Sequence, residues 1–225
     1  KSHGSYSYPD MLVGIHRLNA DSRVLVAATS LRYTIANTSQ EKNGHQYIGN
    51  INWEQALKLN LSIGSRTLNL RQYADFLDLL KSGNAFDGTG KKIQKDKLDE
   101  ILDEIITVRE PWRSEWLDAD FKVVNNVLHI NYDNRLINGQ LTPLKSEPLE
   151  TSVDSGGHVD ISSINRQGLP TKKSRKKEIY FYPPMRNNKS VAGFWAFSDG
   201  ACLSCSGDPA GSNGGLGVRE AREKK

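Results

Sequence analysis

Apolar and polar positions follow two different periods along the chain, and the change of period predicts which segments form strands and which form helices. Segments 11–15, 23–28 and 31–35 are rich in β-branched and apolar residues, which favours strands. Strand-like spacing returns after residue 115, at 121–124, 127–132, 178–182 and 191–197. Turns are predicted at Asn125-Asn126 and Asn138-Gly139, and residues 141–175 are polar and turn-rich.

Three helices are predicted between these two strand-rich regions. Each of the first two begins with an Asn that can cap it and a Gln three residues later that completes a capping box. These pairs are Asn52 with Gln55 and Asn69 with Gln72, and Gly64 and Gly83 mark the helix ends. Apolar residues at helical spacing predict a third helix at about 96–107. The pattern as a whole predicts one α+β domain over residues 1–225, after a flexible lead-in at 1–10.

Composition narrows the class of protein. The chain has 225 residues, 37% apolar and 25% charged, as in a soluble globular domain. No apolar run approaches the roughly 18–20 residues of a membrane-spanning helix, so we expect no membrane span. The net charge is +4, and much of it lies in the run Lys172–Lys177. No aromatic residue interrupts this run to stack on a base, so we interpret it as a solvated loop and nucleic acid as an unlikely partner.

The search for catalytic and metal-binding chemistry gives no positive result. The sequence shows no Ser-His-Asp arrangement, paired-carboxylate motif, phosphate-binding glycine loop or dinucleotide fingerprint. Cys202 and Cys205 form a Cys-x-x-Cys, but a zinc site needs about two further ligands. His129 and His158 are the only candidates between the helices and this segment, and neither lies in a metal-ligand spacing motif. We therefore predict no catalytic residue, no metal site and no cofactor.

Residues 196–218 differ from the rest of the chain. They contain no Lys, Arg, Glu, Gln, Met or Trp, and small residues dominate. The segment follows the apolar strand expected at 191–197 and precedes a closing strand at 216–219. An anchored loop of small residues is a plausible place for binding, because rigid scaffolds display function on loops. Composition alone is equally compatible with a flexible linker.

Four short motifs resemble the formylglycine-generating-enzyme branch of C-type lectin folds. They occur in the family's order and span roughly residues 48–222. They are Trp53-Glu54-Gln55-Ala56, Arg66–Tyr73, Glu115–Ala119 and Gly217–Arg222. The resemblance implies a C-type lectin fold with two helices packed on a small, twisted, mainly antiparallel sheet, and with insertions at 84–111 and 141–178.

Within that branch, residues 196–218 resemble the variable region of a diversity-generating retroelement protein. Such systems rewrite adenines near the 3′ end of a gene, so that AAC codons come to encode many residues but not Lys, Glu, Gln, Met or Trp. The missing residue types fit this rule, and Trp195, Leu203, Pro209 and Leu216-Gly217 would be fixed scaffold.

The resemblance implies a ligand-binding protein of viral or phage-like type whose partner is a macromolecule, a protein or a glycan, on a host or cell surface. It implies a virion-surface or extracellular location. The implied binding residues are Phe197, Ser198, Asp199, Gly200, Ala201, Cys202, Ser204, Ser206, Gly207, Asp208, Ala210, Gly211, Ser212 and Gly214. Two alternatives stay open: a cysteine-dependent oxidase like the formylglycine-generating enzymes, with Cys202 and Cys205 as the reactive pair, and a nucleic-acid-binding module using Lys172–Lys177.

Overall fold

The computed structural model describes residues 12–16, 23–27, 40–42, 45–47, 51–62, 64–86, 91–108, 112–198, 200–212 and 215–223. The lead-in expected at 1–10 and the strand expected at 31–35 lie outside these residues, as do the candidate site residues Asp199 and Gly214.

The three expected helices are confirmed. They are α1 (Trp53–Ser62), α2 (Leu70–Ser82) and α3 (Lys95–Ile106). Both capping boxes form: the backbone N–H of Gln55 donates to Asn52 Oδ1 over 2.9 Å, and that of Gln72 donates to Asn69 Oδ1 over 3.0 Å. Helix α2 ends at Gly83, whose φ of 65° is the left-handed conformation that glycine adopts without strain.

The described strands are, in chain order, β1 (Leu12–His16), β2 (Arg23–Ala27), β3 (Gln40–Lys42), β4 (His45–Tyr47), β5 (Arg66–Thr67), β6 (Arg113–Val124), β7 (Val127–Ile137), β8 (Gln140–Pro148), β9 (Gly157–Val159), β10 (Ile179–Tyr182), β11 (Ser190–Phe197), β12 (Gly200–Gly207), β13 (Leu216–Val218) and β14 (Glu220–Glu223). The predicted Asn turns are confirmed. Asn125 and Asn126 have φ values of 48° and 63°, and Asn138 and Gly139 have 52° and 77°, which are the left-handed values that tight hairpins require.

An eight-stranded sheet dominates the described part of the molecule. Its strand order is β8-β7-β6-β11-β12-β10-β9, with β13 also paired to β6. The pairs β10–β12 and β13–β6 are parallel and the other pairs are antiparallel. A four-stranded sheet has the order β1-β2-β14-β5, and β3 pairs with β4. The α+β prediction is therefore confirmed, but the expected small sheet is wrong.

Helices cover both faces of the large sheet. Side chains alternate across a strand, so the neighbours Trp116 and Leu117 of β6 face opposite ways. Leu117 belongs to the larger buried cluster, which includes Phe76 of α2 and Leu98 of α3. Trp116 belongs to a second cluster, which includes Leu57 of α1. Helix α1 therefore packs on one face of the sheet, while α2 and α3 pack on the other.

Residues 141–178, expected as a polar and turn-rich insertion, contribute the strands β8 and β9 to the large sheet. Strand β8 pairs with β7 through eight residue pairs, from Ile137 with Gln140 to His129 with Pro148. Val159 of β9 and Leu169 are both buried in the larger cluster. Gly168 has a φ of 89°, and a Cβ there would lie 2.3 Å from the backbone N of Arg71, so this segment packs directly against α2. The sequence did not reveal this packing, because the apolar contacts of these long polar stretches are few and widely spaced.

Candidate ligand-binding face

The four motifs that carry the family resemblance meet in the interior. Glu115 of β6 forms a buried ion pair with Arg219, whose Nε lies 3.0 Å from Glu115 Oε2. The hydroxyl of Tyr73 in α2 donates to the same oxygen over 3.0 Å. Burial disfavours the charge on Arg219, but the pairing with Glu115 outweighs this and raises the pKa of Arg219. A buried pair of this kind costs stability when either partner is lost, because the other is left uncompensated.

Two tryptophans join α1 to β6 by reciprocal hydrogen bonds. Trp53 Nε1 donates to the carbonyl of Leu117 over 2.8 Å, and Trp116 Nε1 donates to the carbonyl of Ile51 over 2.9 Å. Both indole rings are buried, and they pack in one cluster with Leu216 and Val218. The two indole hydrogen bonds involve none of residues 196–218.

A buried carboxyl lies in the same motif as Trp116. Asp118 accepts hydrogen bonds from the backbone N–H of Asn134 over 3.0 Å and from Asn134 Nδ2 over 2.6 Å. Burial raises the pKa of Asp118 to about 6, even though the bonds from Asn134 act in the opposite direction.

The segment expected to be an exposed loop contains a strand instead. Strand β12 (Gly200–Gly207) lies between β11 and β10 in the large sheet. Its side chains therefore alternate between the two faces. Ala201, Leu203 and Cys205 point into the larger buried cluster. Because its side chain points into this cluster, Ala201 is removed from the expected binding residues. The composition of this strand gives no strand signal because Gly, Ala and Ser are poor β-formers, and pairing on both sides overrides that preference.

The alternate residues of β12 line the other face between aromatic side chains. Cys202 pairs with Trp195 of β11 on one side and with Tyr180 of β10 on the other. Ser204 lies beside Tyr182 in the next row, and the Ser204 and Ser206 hydroxyls are 3.4 Å apart. We call this surface the aromatic face; its residues are Trp195, Tyr180, Tyr182, Cys202, Ser204 and Ser206.

We call the strip of small β12 side chains between the aromatic side chains of β11 and β10 the groove of the aromatic face. Strands β11 and β10 flank β12, so the backbones that carry the aromatic walls lie about 10 Å apart. Cys202 and Ser204 are only 4% and 6% exposed because larger side chains flank them, while Ser206 and Trp195 are half-buried and Tyr182 is 39% exposed. Cys202, Ser204 and Ser206 are among the predicted binding residues, whereas the prediction gave no role to the two tyrosines that lie beside them. No sequence signal linked them to β12, because the parallel pairing joins segments about 20 residues apart.

The turn after β12 is anchored to α1. The backbone N–H of Trp53 donates to the carbonyl of Pro209 over 3.3 Å. Within the turn, Asp208 Oδ1 accepts from the N–H of Ala210 over 3.0 Å. Asp208, Ala210 and Ser212 are exposed, as is Ser198 at the turn before β12, and Gly211 is half-buried. These residues form the rim of the aromatic face at the two ends of β12.

Two glycines of the expected site differ in the space available for a side chain. Gly200 is half-buried, and a Cβ there would meet nothing within 4 Å, but its φ of 109° favours glycine. At Gly207 a Cβ would lie 3.0 Å from the carbonyl of Val191 and 3.3 Å from the ring of Trp116. A larger residue at 207 therefore strains the packing, which argues against free variation there. Phe197 lies at the end of β11.

The two cysteines lie on opposite faces of β12. They form no disulfide, and their positions in β12 place Cys202 on the aromatic face and Cys205 in the core on the opposite face. Burial raises the pKa of the Cys205 thiol, so it is protonated and a poor nucleophile at neutral pH. Within the described ranges, no three His, Cys, Asp or Glu side chains are grouped so as to hold a metal ion.

The fold and the site together define an α+β protein with a groove of small residues between aromatic walls. Comparisons of the chain with known protein families, characterised proteins and solved structures find no match. In the part of the chain that the structure describes, no helix is long and apolar enough to cross a membrane.

Proposed function

We propose that this protein is a ligand-binding protein of the C-type lectin type whose residues 196–218 are diversified by a retroelement. Its partner is a macromolecule, a protein or a glycan, on a host or cell surface. The aromatic face binds this partner, and the protein acts by recognition and not by catalysis.

The observation that carries the proposal is the alternation of β12. Three small residues, Cys202, Ser204 and Ser206, form the floor of the groove, while Leu203 and Cys205 point into the core. Larger residues at the floor positions would project away from the larger buried cluster and would change the shape and chemistry of the groove. All three floor residues are of types that a rewritten AAC codon encodes.

The aromatic walls supply what the small residues lack. Tight interfaces depend on a few large anchors, with Trp and Tyr enriched among them. Trp195, Tyr180 and Tyr182 provide these anchors from outside β12, so they are present whatever residues occupy its floor. Trp195 is itself held in place, because its ring packs edge-on against Trp116 with centroids 5.3 Å apart. The constant aromatic side chains anchor the partner, and the variable side chains of β12 select it. Antibody loops divide these two roles in a similar way.

The contacts that stabilise the scaffold support the proposal, because they lie away from the floor of the groove. The Glu115–Arg219 pair, the reciprocal tryptophan bonds and both capping boxes involve no floor residue of the groove. Convergence of the four motifs on this network also supports the likeness to C-type lectin folds. The opposite placement of the two thiols weighs against the oxidase alternative, which needs them together.

A pair of matched libraries tests the proposal. One library randomises Ser198, Cys202, Ser204, Ser206 and Asp208 on or around the aromatic face. The control library randomises the same number of positions in the core, including Ala201, Leu203 and Cys205. Both are displayed on yeast, treated with protease to score folding, and selected for binding to lysozyme as a test protein.

We expect most members of the face library to resist protease and some to bind lysozyme, whereas most members of the control library unfold. Introducing Tyr182→Ala into the selected binders should weaken them, because the constant wall is then lost. Similar folding losses in both libraries, or binders that Tyr182→Ala leaves unchanged, would contradict the proposal.

A further inference from the structure

The basic run at 172–177 lies at the edge of the large sheet, next to aromatic side chains. Lys173 pairs with Val159 of β9, and the N–H of Ser174 donates to the carbonyl of His158 over 2.8 Å. The run therefore adds an edge segment outside β9, two strands from β10. The sequence predicted a solvated loop, and the cations of the run are exposed as expected; the bridge to β9, which joins the run to the sheet, was not predicted.

The charge of this edge is largely uncompensated. The run places five cations in six residues, namely Lys172, Lys173, Arg175, Lys176 and Lys177, and all five are exposed. None forms an ion pair with another described residue. Asp160 lies opposite Lys172, and Glu178 follows the run but lies 3.9 Å from Lys81. The local field is therefore positive and attracts a polyanion.

Three rings stand beside these cations on one side of the sheet. His158 and Tyr180 are neighbours across β9 and β10, with ring centroids 5.2 Å apart and an edge-to-face arrangement. Tyr180 and Tyr182 follow along β10, with centroids 4.7 Å apart. Because side chains alternate, Lys172 projects from the same face as His158 and Tyr180. Lys172 therefore borders the surface that carries the rings, whereas Lys173, which pairs with the buried Val159, projects from the opposite face.

We propose that this surface binds single-stranded nucleic acid. Proteins that bind single strands combine a positively charged track for the phosphates with aromatic rings on which the bases stack. The basic run supplies the track, and Tyr182, which is 39% exposed, supplies a stacking ring with Tyr180 beside it. The cations lie outside residues 196–218, so this activity and the proposed ligand binding can fail separately even though they share the two tyrosines.

Fluorescence anisotropy of a labelled oligothymidylate tests the proposal on the full chain. An oligonucleotide of about 20 nucleotides exceeds the roughly 4–16 nucleotides that comparable single-strand sites cover. If the four cations other than Lys173 contact phosphates, the slope of log K against log salt is about −2.8. The triple variant Arg175→Gln, Lys176→Gln, Lys177→Gln should reduce that slope to about −0.7.

A matched control removes equal charge elsewhere. Lys58, Lys95 and Lys97 lie on α1 and α3, and changing all three to Gln should leave the slope nearly unchanged. Tyr182→Ala should weaken binding by about tenfold at constant salt, as expected for the loss of one stacked base. Circular dichroism of each variant verifies that the fold is retained.

Three results would overturn the proposal. One is the absence of oligothymidylate binding at about 50 mM salt, where phosphate contacts are strongest. Another is an equal loss of binding in the triple variant and its control. The last is binding of heparin or polyglutamate as tight as that of oligothymidylate, together with no effect of Tyr182→Ala, which would indicate general attraction of polyanions.

Discussion

The same substitution at two neighbouring residues of β12 should destabilise the protein to very different extents. Cys205 is fully buried in the larger cluster, whereas Ser206 is half-buried on the aromatic face. Asn at position 205 places an amide without a partner in the core, at a cost of about 1–3 kcal/mol. The added volume strains the packing by roughly 1–3 kcal/mol more. We therefore expect Cys205→Asn to lower the free energy of unfolding by about 2–6 kcal/mol.

Ser206→Asn is the matched change on the other side of the strand, and we expect its effect to stay within about 0.5 kcal/mol. Urea denaturation followed by circular dichroism measures both. With an m-value of about 1–3 kcal/mol/M, a loss of 4 kcal/mol lowers the midpoint by more than about 1 M. Equal midpoints for the two variants, or a larger loss for Ser206→Asn, would refute the assignment of faces in β12.

Three further predictions concern the scaffold and are measured by urea unfolding. Trp116→Ala should cost about 3–5 kcal/mol because the ring is fully buried and bonded to α1; an unchanged midpoint would contradict its place in the core. Glu115→Gln should cost about 3–5 kcal/mol by leaving Arg219 uncompensated, whereas Lys95→Gln, in an exposed pair with Asp99, should cost less than about 1 kcal/mol. The pKa of Asp118 is about 6 in the folded state, against 3.8 ordinarily. The folded state therefore binds the Asp118 proton more tightly than the unfolded state does. The stability that this proton contributes is lost as pH rises from about 4 to 6. By pH 7 the loss is about 3 kcal/mol, and a stability difference between wild type and Asp118→Asn that does not change with pH would contradict this.

Local signals made the helices predictable. An Asn cap, a Gln that completes its box and a terminal Gly act within a few residues, so Asn69, Gln72 and Gly83 bounded α2 to within one residue. The hairpin turn at Asn125-Asn126 was predictable for the same reason, because few residues other than Asn and Gly accept the left-handed conformation it needs.

The candidate site was only half predictable, because half of it depends on pairing between distant segments. Composition identified 196–218 as unusual, but it gave no indication that Ala201 is buried or that Cys202 is flanked by Tyr180. Strand β8 and the edge segment at 172–174 were missed for a related reason. Their sequences are polar, and partners far along the chain hold them in the sheet. A single sequence does not encode such pairings in any local pattern.

The DNA immediately downstream of the gene tests the central claim most directly. The account predicts a near-copy of the segment that encodes 196–218, differing from it only at adenines. The differing codons should include those of Cys202, Ser204 and Ser206 on the aromatic face, while the codons of Leu203 and Cys205 are identical in both copies. The absence of such a copy, or differences that fall on the core positions as often as on the face, would contradict a retroelement-diversified binding protein.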